Sequence, residues 1–208
     1  MYCPTHFQEH RQDVLRRLIA DHPLATIIWQ GPDGLVADHV PLMRPSGSGD
    51  SEHLIGHVAR ANPLWQADPQ QEMLLVFQGP QTYISPNWYA SKADGGKVVP
   101  TWNYATVHVH AVLTVTHDHD TLLRILHQLT QKQESDQVHP WQVSDAPEAF
   151  TNTLLNHIVG VRFDIRRMQG KWKVSQNQPA INRATVASAL TALAGDNAAA
   201  MARLVDRG

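Results

Sequence analysis

The stretch ATVHVHAVLTVT at residues 105–116 constrains the fold more than any other part of the chain. Val107, Val109, Ala111, Leu113 and Val115 fall on one side of an extended backbone, and His108, His110, Val112, Thr114 and Thr116 on the other. A helix would scatter both sets around its circumference, so this is a strand with one face in a core. IVGVRFDIRRM at 158–168 repeats the pattern, setting Val159, Val161, Phe163 and Ile165 against Arg162, Asp164 and Arg166. LATIIWQ at 24–30 and LVADHVPLM at 35–43 are two more strands, joined as a hairpin by GPDG. There Pro presets φ and Gly accepts a positive one, and Pro41 puts the hairpin's end at an edge or bulge.

Further strands are predicted at 53–59 and 72–78, the latter broken by Gly79-Pro80 and resumed by TYIS at 82–85 after a bend. Gln169-Gly170 reads as a turn, with KWKVSQNQ at 171–178 returning as the second arm of a hairpin. Helices are predicted over 9–21 (Val14, Leu15, Leu18 and Ile19 on one face), 121–132, 146–157 (Phe150, Leu154, Leu155) and 183–194. The tail from Gly195 to Gly208 is left as helical or frayed, RPSGSGDS at 44–51 as a flexible loop, and 86–104 as a long loop rich in aromatics. Seven or eight strands joined mostly by short turns predict an α+β fold, mainly antiparallel, in which a closed or split β-barrel carries peripheral helices. A chain of 208 residues fits one domain, with a core over about 1–178 and a C-terminal helical segment over about 179–208.

Charge and composition narrow the function classes. A formal net charge of −2 does not describe a strongly basic nucleic-acid binder. The single cysteine, Cys3, cannot form an intramolecular disulfide and fits a reducing compartment. No run is long and apolar enough to span a bilayer, and MYCPTHFQEHRQDV has no signal-like apolar core, so a cytoplasmic protein is expected. The 13 histidines are scattered, with no CxxC or HExxH, and no metal is expected.

The candidate site residues fall in three stretches. In HLIGHVARANPLWQAD at 53–68, a strand runs into Asn62 as N-cap and Pro63 as first helical residue. Amides at such a corner favour an anion, and Arg60 just before it presents a planar fork suited to phosphate. An ordinary capped helix with a solvated Arg is the alternative. Thr101, Trp102 and Asn103 after Pro100 combine an indole face with a hydroxyl and an amide, as does Ser85 with Trp88. That mix suits a flat ring that needs a few placed hydrogen bonds, but a loop pinned by buried aromatics would look the same. Lys171, Ser175, Gln176 and Asn177 add a cation and donors late in the chain that could reach a phosphate or pair across a dimer, and a polar strand end would account for them equally well. His108 and His110 share a face at the spacing of a metal or haem ligand pair, which two solvated histidines also satisfy.

MYCPTHF at the start, HVARANPLW at 57–65, YISPNWY at 83–89, VPTWNY at 99–104 and GKWKVSQNQ at 170–178 occur in this order. Together they resemble the PaiB-type family of FMN-binding negative transcriptional regulators, over residues 1 to about 190. Gln178 departs from the pattern, where the family has a basic residue after SQN. The resemblance implies the FMN-binding split barrel, FMN as cofactor, a homodimer with flavin at the subunit interface, and promoter DNA as partner. It implies flavin phosphate contacts from the segment holding Arg60 and Asn62. Two other functions stay open: a flavin-dependent oxidoreductase like the pyridoxamine-phosphate oxidases, and a haem-binding split barrel. No acid or base stands out, and flavin chemistry does not require one.

Overall fold

The computed structural model describes residues 1–45 and 52–206, so most of the loop expected at 44–51 and the last two residues lie outside the described residues. Its strands are β1 (Gln8–Glu9), β2 (Leu24–Gly31), β3 (Gly34–Pro41), β4 (His53–Ala59), β5 (Glu72–Ile84), β6 (Thr101–Thr116) and β7 (Ile158–Lys173). Its α-helices are α1 (Gln12–Asp21), α2 (His119–Glu134), α3 (Glu148–Leu155), α4 (Ala180–Ala192) and α5 (Asp196–Asp206). The strands form one sheet in the order β1-β7-β6-β5-β2-β3, with β4 paired to β7.

The predicted first hairpin is present. β2 and β3 pair antiparallel from Leu24↔Pro41 to Gly31↔Gly34, and the turn is completed by Gly34 at φ 126°, where a side chain would be strained. β4 pairs β7 from His53↔Asp164 to Ala59↔Ile158. Just past β3, Met43 and Ile55 of β4 exchange amide hydrogen bonds of 3.0 and 2.8 Å. The path β7-β6-β5-β2-β3 thus returns through this bridge to β4 and back to β7, which makes a split β-barrel.

The chain divides into two compact units. The first comprises Met1–Asp21, Gln78–His108 and Gln169–Gly208. Its core gathers Ile84, Tyr89, Val174, Val186, Leu190, Met201 and Val205, so the C-terminal helices α4 and α5 are integral to it. The tail left open from sequence is therefore helical over Asp196–Asp206. The second unit comprises His22–Phe77 and Val109–Met168 and buries Ile27, Leu54, Leu75, Phe77 and Phe163 completely. Each such side chain stabilises the fold by about 1.5–3 kcal/mol relative to exposure. There α2 packs on β4 through Ile125 and Leu129 against Ile55 and Met43. In α3 only Leu155 is buried, while Phe150 and Leu154, expected on its apolar face, stay exposed.

Two glycines read as breaks turn out to lie inside strands. β5 runs unbroken through Gly79-Pro80, and β7 runs unbroken through Gln169-Gly170, so the predicted second hairpin is one 16-residue strand. At Gly79 a Cβ would lie 2.8 Å from Leu18 Cδ1, and at Gly170 it would lie 2.3 Å from Leu15 Cδ2. At both glycines a leucine side chain of α1 packs close to the strand, an approach that sequence cannot distinguish from a turn. The long aromatic loop is also shorter than predicted. It holds two short 3-10 turns, Pro86–Trp88 and Ala90–Ala93, and Thr101, Trp102 and Asn103 open β6.

Candidate functional site

Eight of the ten sequence-predicted site residues lie in the first unit: Ser85, Trp88, Thr101, Trp102, Asn103, Lys171, Ser175 and Gln176. Arg60 and Asn62 lie in the second.

In the first unit, Lys171 and Lys173 alternate along β7 and so share a face. Lys171 is 8% exposed. Its Nζ donates to the Tyr2 carbonyl at 2.9 Å and lies 5.2 Å from the Tyr104 ring centre and 5.6 Å from that of Tyr2. Lys173 Nζ donates to Thr101 Oγ1 and, at 2.9 Å, to the Trp102 carbonyl. Burial, and secondarily the Lys171 charge, pushes the Lys173 ammonium below its ordinary range. Among the described residues neither ammonium forms an ion pair with a carboxylate. Two neighbouring cations, one buried, held only by carbonyls, a hydroxyl and ring faces, make a site of unbalanced positive charge.

Around them the polar residues hold one another. Asn103, 1% exposed, donates to Ser175 Oγ at 2.8 Å. Ser175 has φ 67°, a left-handed conformation that costs a non-glycine residue about 1–2 kcal/mol. Gln176 accepts from the Val174 amide at 2.8 Å and donates to the Trp172 carbonyl. Trp102 is 50% exposed, its Nε1 donating to Gln81 at 3.2 Å and its ring meeting Tyr83 edge-on at 6.3 Å. An accessible indole face thus stands on the strand whose first residues bond Lys173. Ser85 caps the turn at Pro86 through the Asn87 amide, and Trp88 packs on the unit's core. Lys173, Tyr104 and Tyr2 join this cluster although they were not among the expected site residues. The K-x-K spacing that sets both ammonium groups on one strand face was the available signal in the sequence.

The Arg60 corner of the second unit has a different chemistry. Arg60 donates from Nε to the Asn156 carbonyl at 2.6 Å and from Nη2 to the Ile158 carbonyl at 3.0 Å, while Nη1 lies 3.2 Å from His117 Nδ1. Asn62 does cap a helix as predicted, accepting from the Leu64 amide at 2.8 Å, but that helix is a single 3-10 turn, Pro63–Gln66. The Asn62 side-chain amide donates to Asp38 at 2.7 Å, and Asp38 also accepts from Trp29 Nε1 at 2.8 Å. The amides of Arg60 and Asn62 bond the His157 and Ala59 carbonyls. Three amides of this corner, those of Arg60, Asn62 and Leu64, are thus taken by chain and cap acceptors. On β6 His110 sits between Glu72 at 2.8 Å and Arg167 at 3.2 Å.

Residues 1–167 match the family model described as "Putative FMN-binding domain". The chain belongs to this FMN-binding family. Among its relatives is the Bacillus subtilis protease synthase and sporulation protein PAI 2, 27% identical over 99% of this chain and 97% of that protein. The match to the family is thus in line with the motifs that resemble PaiB. Solved structures of like fold include the flavocytochrome Anf3 from Azotobacter vinelandii, with TM-score 0.58 and 12% identity over 80% of this chain and 69% of that one. The FAD and heme binding protein from Mycobacterium smegmatis gives TM-score 0.55 and 14% identity over 80% and 73% of the two chains. The FMN-binding family member described here shares the split-barrel fold with both. Among its described residues no helix is long and apolar enough to cross a membrane.

Proposed function

We propose that this protein binds FMN through its first unit, with Lys171 and Lys173 taking the dianionic phosphate and the Trp102 face taking the ring system. The observation that carries the reading is the pair of ammonium groups without a carboxylate, which an anion would balance. Asn103, Ser175 and Gln176 act as positioning residues that hold the chain after β7 in its strained course. Ser85 and Trp88 support the same region from the core side. Bound flavin would supply one- and two-electron chemistry, while the chain's own groups bind and orient it. Arg60 and Asn62 act on this reading as ties within the second unit.

The test is a titration with FMN and with riboflavin, which lacks the phosphate, followed by flavin fluorescence. FMN is expected to bind at least about ten-fold more tightly, the effect of a charge-assisted phosphate contact. Equal affinities would remove the lysines from the site. The visible spectrum of purified protein separates flavin from haem, and bleaching by NADH or NADPH separates an oxidoreductase from a protein that only holds flavin.

A regulatory role as a cytoplasmic homodimer acting on promoter DNA is the fuller reading, supported by a relative named for protease synthesis and sporulation. Of the three β7 arginines that would serve DNA, Arg162 is paired with Asp164 at 2.7 Å and Arg167 lies 4.0 Å from Glu72. Light scattering that gives twice the chain mass, and promoter retardation that survives physiological salt, would support this reading. A monomer, or retardation only at low salt, would overturn it.

A further inference from the structure

The second unit contains a cavity of about 310 Å³ lined by residues of β4, β6, β7 and α2. Ile55, Ile125 and Val161 form its apolar lining, and all three are buried. Gly160 lets helix and strand meet closely beside it: a Cβ there would lie 2.6 Å from Thr116 Cγ2 and 3.2 Å from Ile125 Cδ1. Two guanidinium groups also line the cavity, and they are in different states. Arg162 is neutralised by Asp164, which accepts from its Nε at 2.9 Å and its Nη2 at 2.7 Å. Arg124 is steered by Thr121, whose Oγ1 accepts from Nη2 at 2.7 Å. Asp118, which caps α2 by accepting the Thr121 amide at 2.9 Å, feels the Arg124 charge but forms no ion pair with it. The cavity therefore offers one oriented guanidinium with donors to spare beside an aliphatic patch, within a lining that also holds threonines, Gln128 and His53.

We propose that this cavity binds a compact apolar monocarboxylate, a single-ring or branched-chain acid, with its carboxylate on Arg124 and its hydrocarbon against Ile55, Ile125 and Val161. The fork of Arg124 matches a carboxylate, and the patch of Ile55, Ile125 and Val161 suits a hydrocarbon body. A volume at the low end of small-molecule sites admits one ring rather than a three-ring flavin with its ribityl phosphate. The inference rests on the proposed placing of FMN in the first unit, and it assigns the protein a second ligand class.

Calorimetric titration of the full chain with benzoate, and with benzyl alcohol as its neutral counterpart, tests it. Saturable benzoate binding is expected, at least about ten-fold tighter than the alcohol and lowered by about ten-fold or more in Arg124→Gln, an exposed position where the fold tolerates change. Methyl NMR should show the benzoate-induced shifts at Ile55, Ile125 and Val161. FMN affinity of Arg124→Gln should match that of the parent. Absence of saturable binding, benzoate affinity unaltered in the variant, or shifts confined to other methyls would overturn the proposal. So would an equal loss of FMN affinity, since the cavity would then belong to the flavin site.

Discussion

The two units each carry a conspicuous set of cations, and the sets differ in what holds them. At Arg60 a guanidinium meets two carbonyl oxygens that the chain leaves open after α3, so the charge completes backbone hydrogen bonding. At Lys171 and Lys173 the ammonium groups donate to one carbonyl each and to a hydroxyl and lie near two rings, with no ion-paired carboxylate among the described residues. The first arrangement is satisfied as it stands. The second is tolerable without ligand and becomes favourable when an anion arrives. Residue type alone would rank the arginine as the better phosphate ligand, and the proposed function reverses that ranking on the inventory of partners.

The largest expected effect falls on the unbalanced pair. Lys171→Met should weaken FMN binding by about 2–3 kcal/mol, the scale of a charge-assisted hydrogen bond in a half-dry site. The apo form should be as stable as the parent or more so, because a buried unpaired charge is removed. Flavin titration and chemical denaturation read the two numbers, and a destabilised variant with normal flavin affinity would erase the contrast between the units.

Arg60→Ala should do the converse. Leaving two carbonyls without their donor costs about 1–2 kcal/mol of stability at this exposed position, with FMN affinity little changed. A marked loss of affinity in a protein of unaltered stability would return the phosphate to that corner. Next in size, Ser175→Ala keeps the left-handed backbone but strips Asn103 of its acceptor, for an expected loss of about 1 kcal/mol in urea unfolding. Retained stability would mean that this bond does not hold the loop.

The smallest effect is a pH dependence. The folded Lys173 pKa lies below its ordinary value of 10.5, so the folded state binds fewer protons than the unfolded chain between those two values. Its protonated form opposes folding at neutral pH, and that penalty is relieved as pH rises through the folded pKa towards 10.5. The apo protein should gain stability across this window while FMN affinity falls, and Lys173→Met should flatten both trends. An apo stability curve with the same slope in parent and variant would show that Lys173 is not the group in question.

Periodicity and residue chemistry carried the strand pattern, the first hairpin and the positions of the helices. The alternation of β6 and the turn at Gly34 are local matters, decided by backbone sterics within a few residues. Five ordered motifs were enough to point to the FMN-binding family, because their order along the chain survives any ignorance of their contacts. What remained illegible depends on neighbours distant in sequence. Gly79 and Gly170 look like turn residues, yet each lies inside a strand with a leucine side chain of α1 close against it. Arg60 looks free, yet residues 156 and 158 supply the oxygens that occupy it. Lys171 and Lys173 could be read as a polar strand end, and only the packing of Tyr2 and Tyr104 around Lys171, with no ion-paired acid among the described residues, makes them a candidate site. Local sequence determined which segments extend or coil, since those choices cost only nearby dihedral freedom. Tertiary structure decided which charges are balanced, because a counter-charge acts through space and leaves no periodicity in the chain.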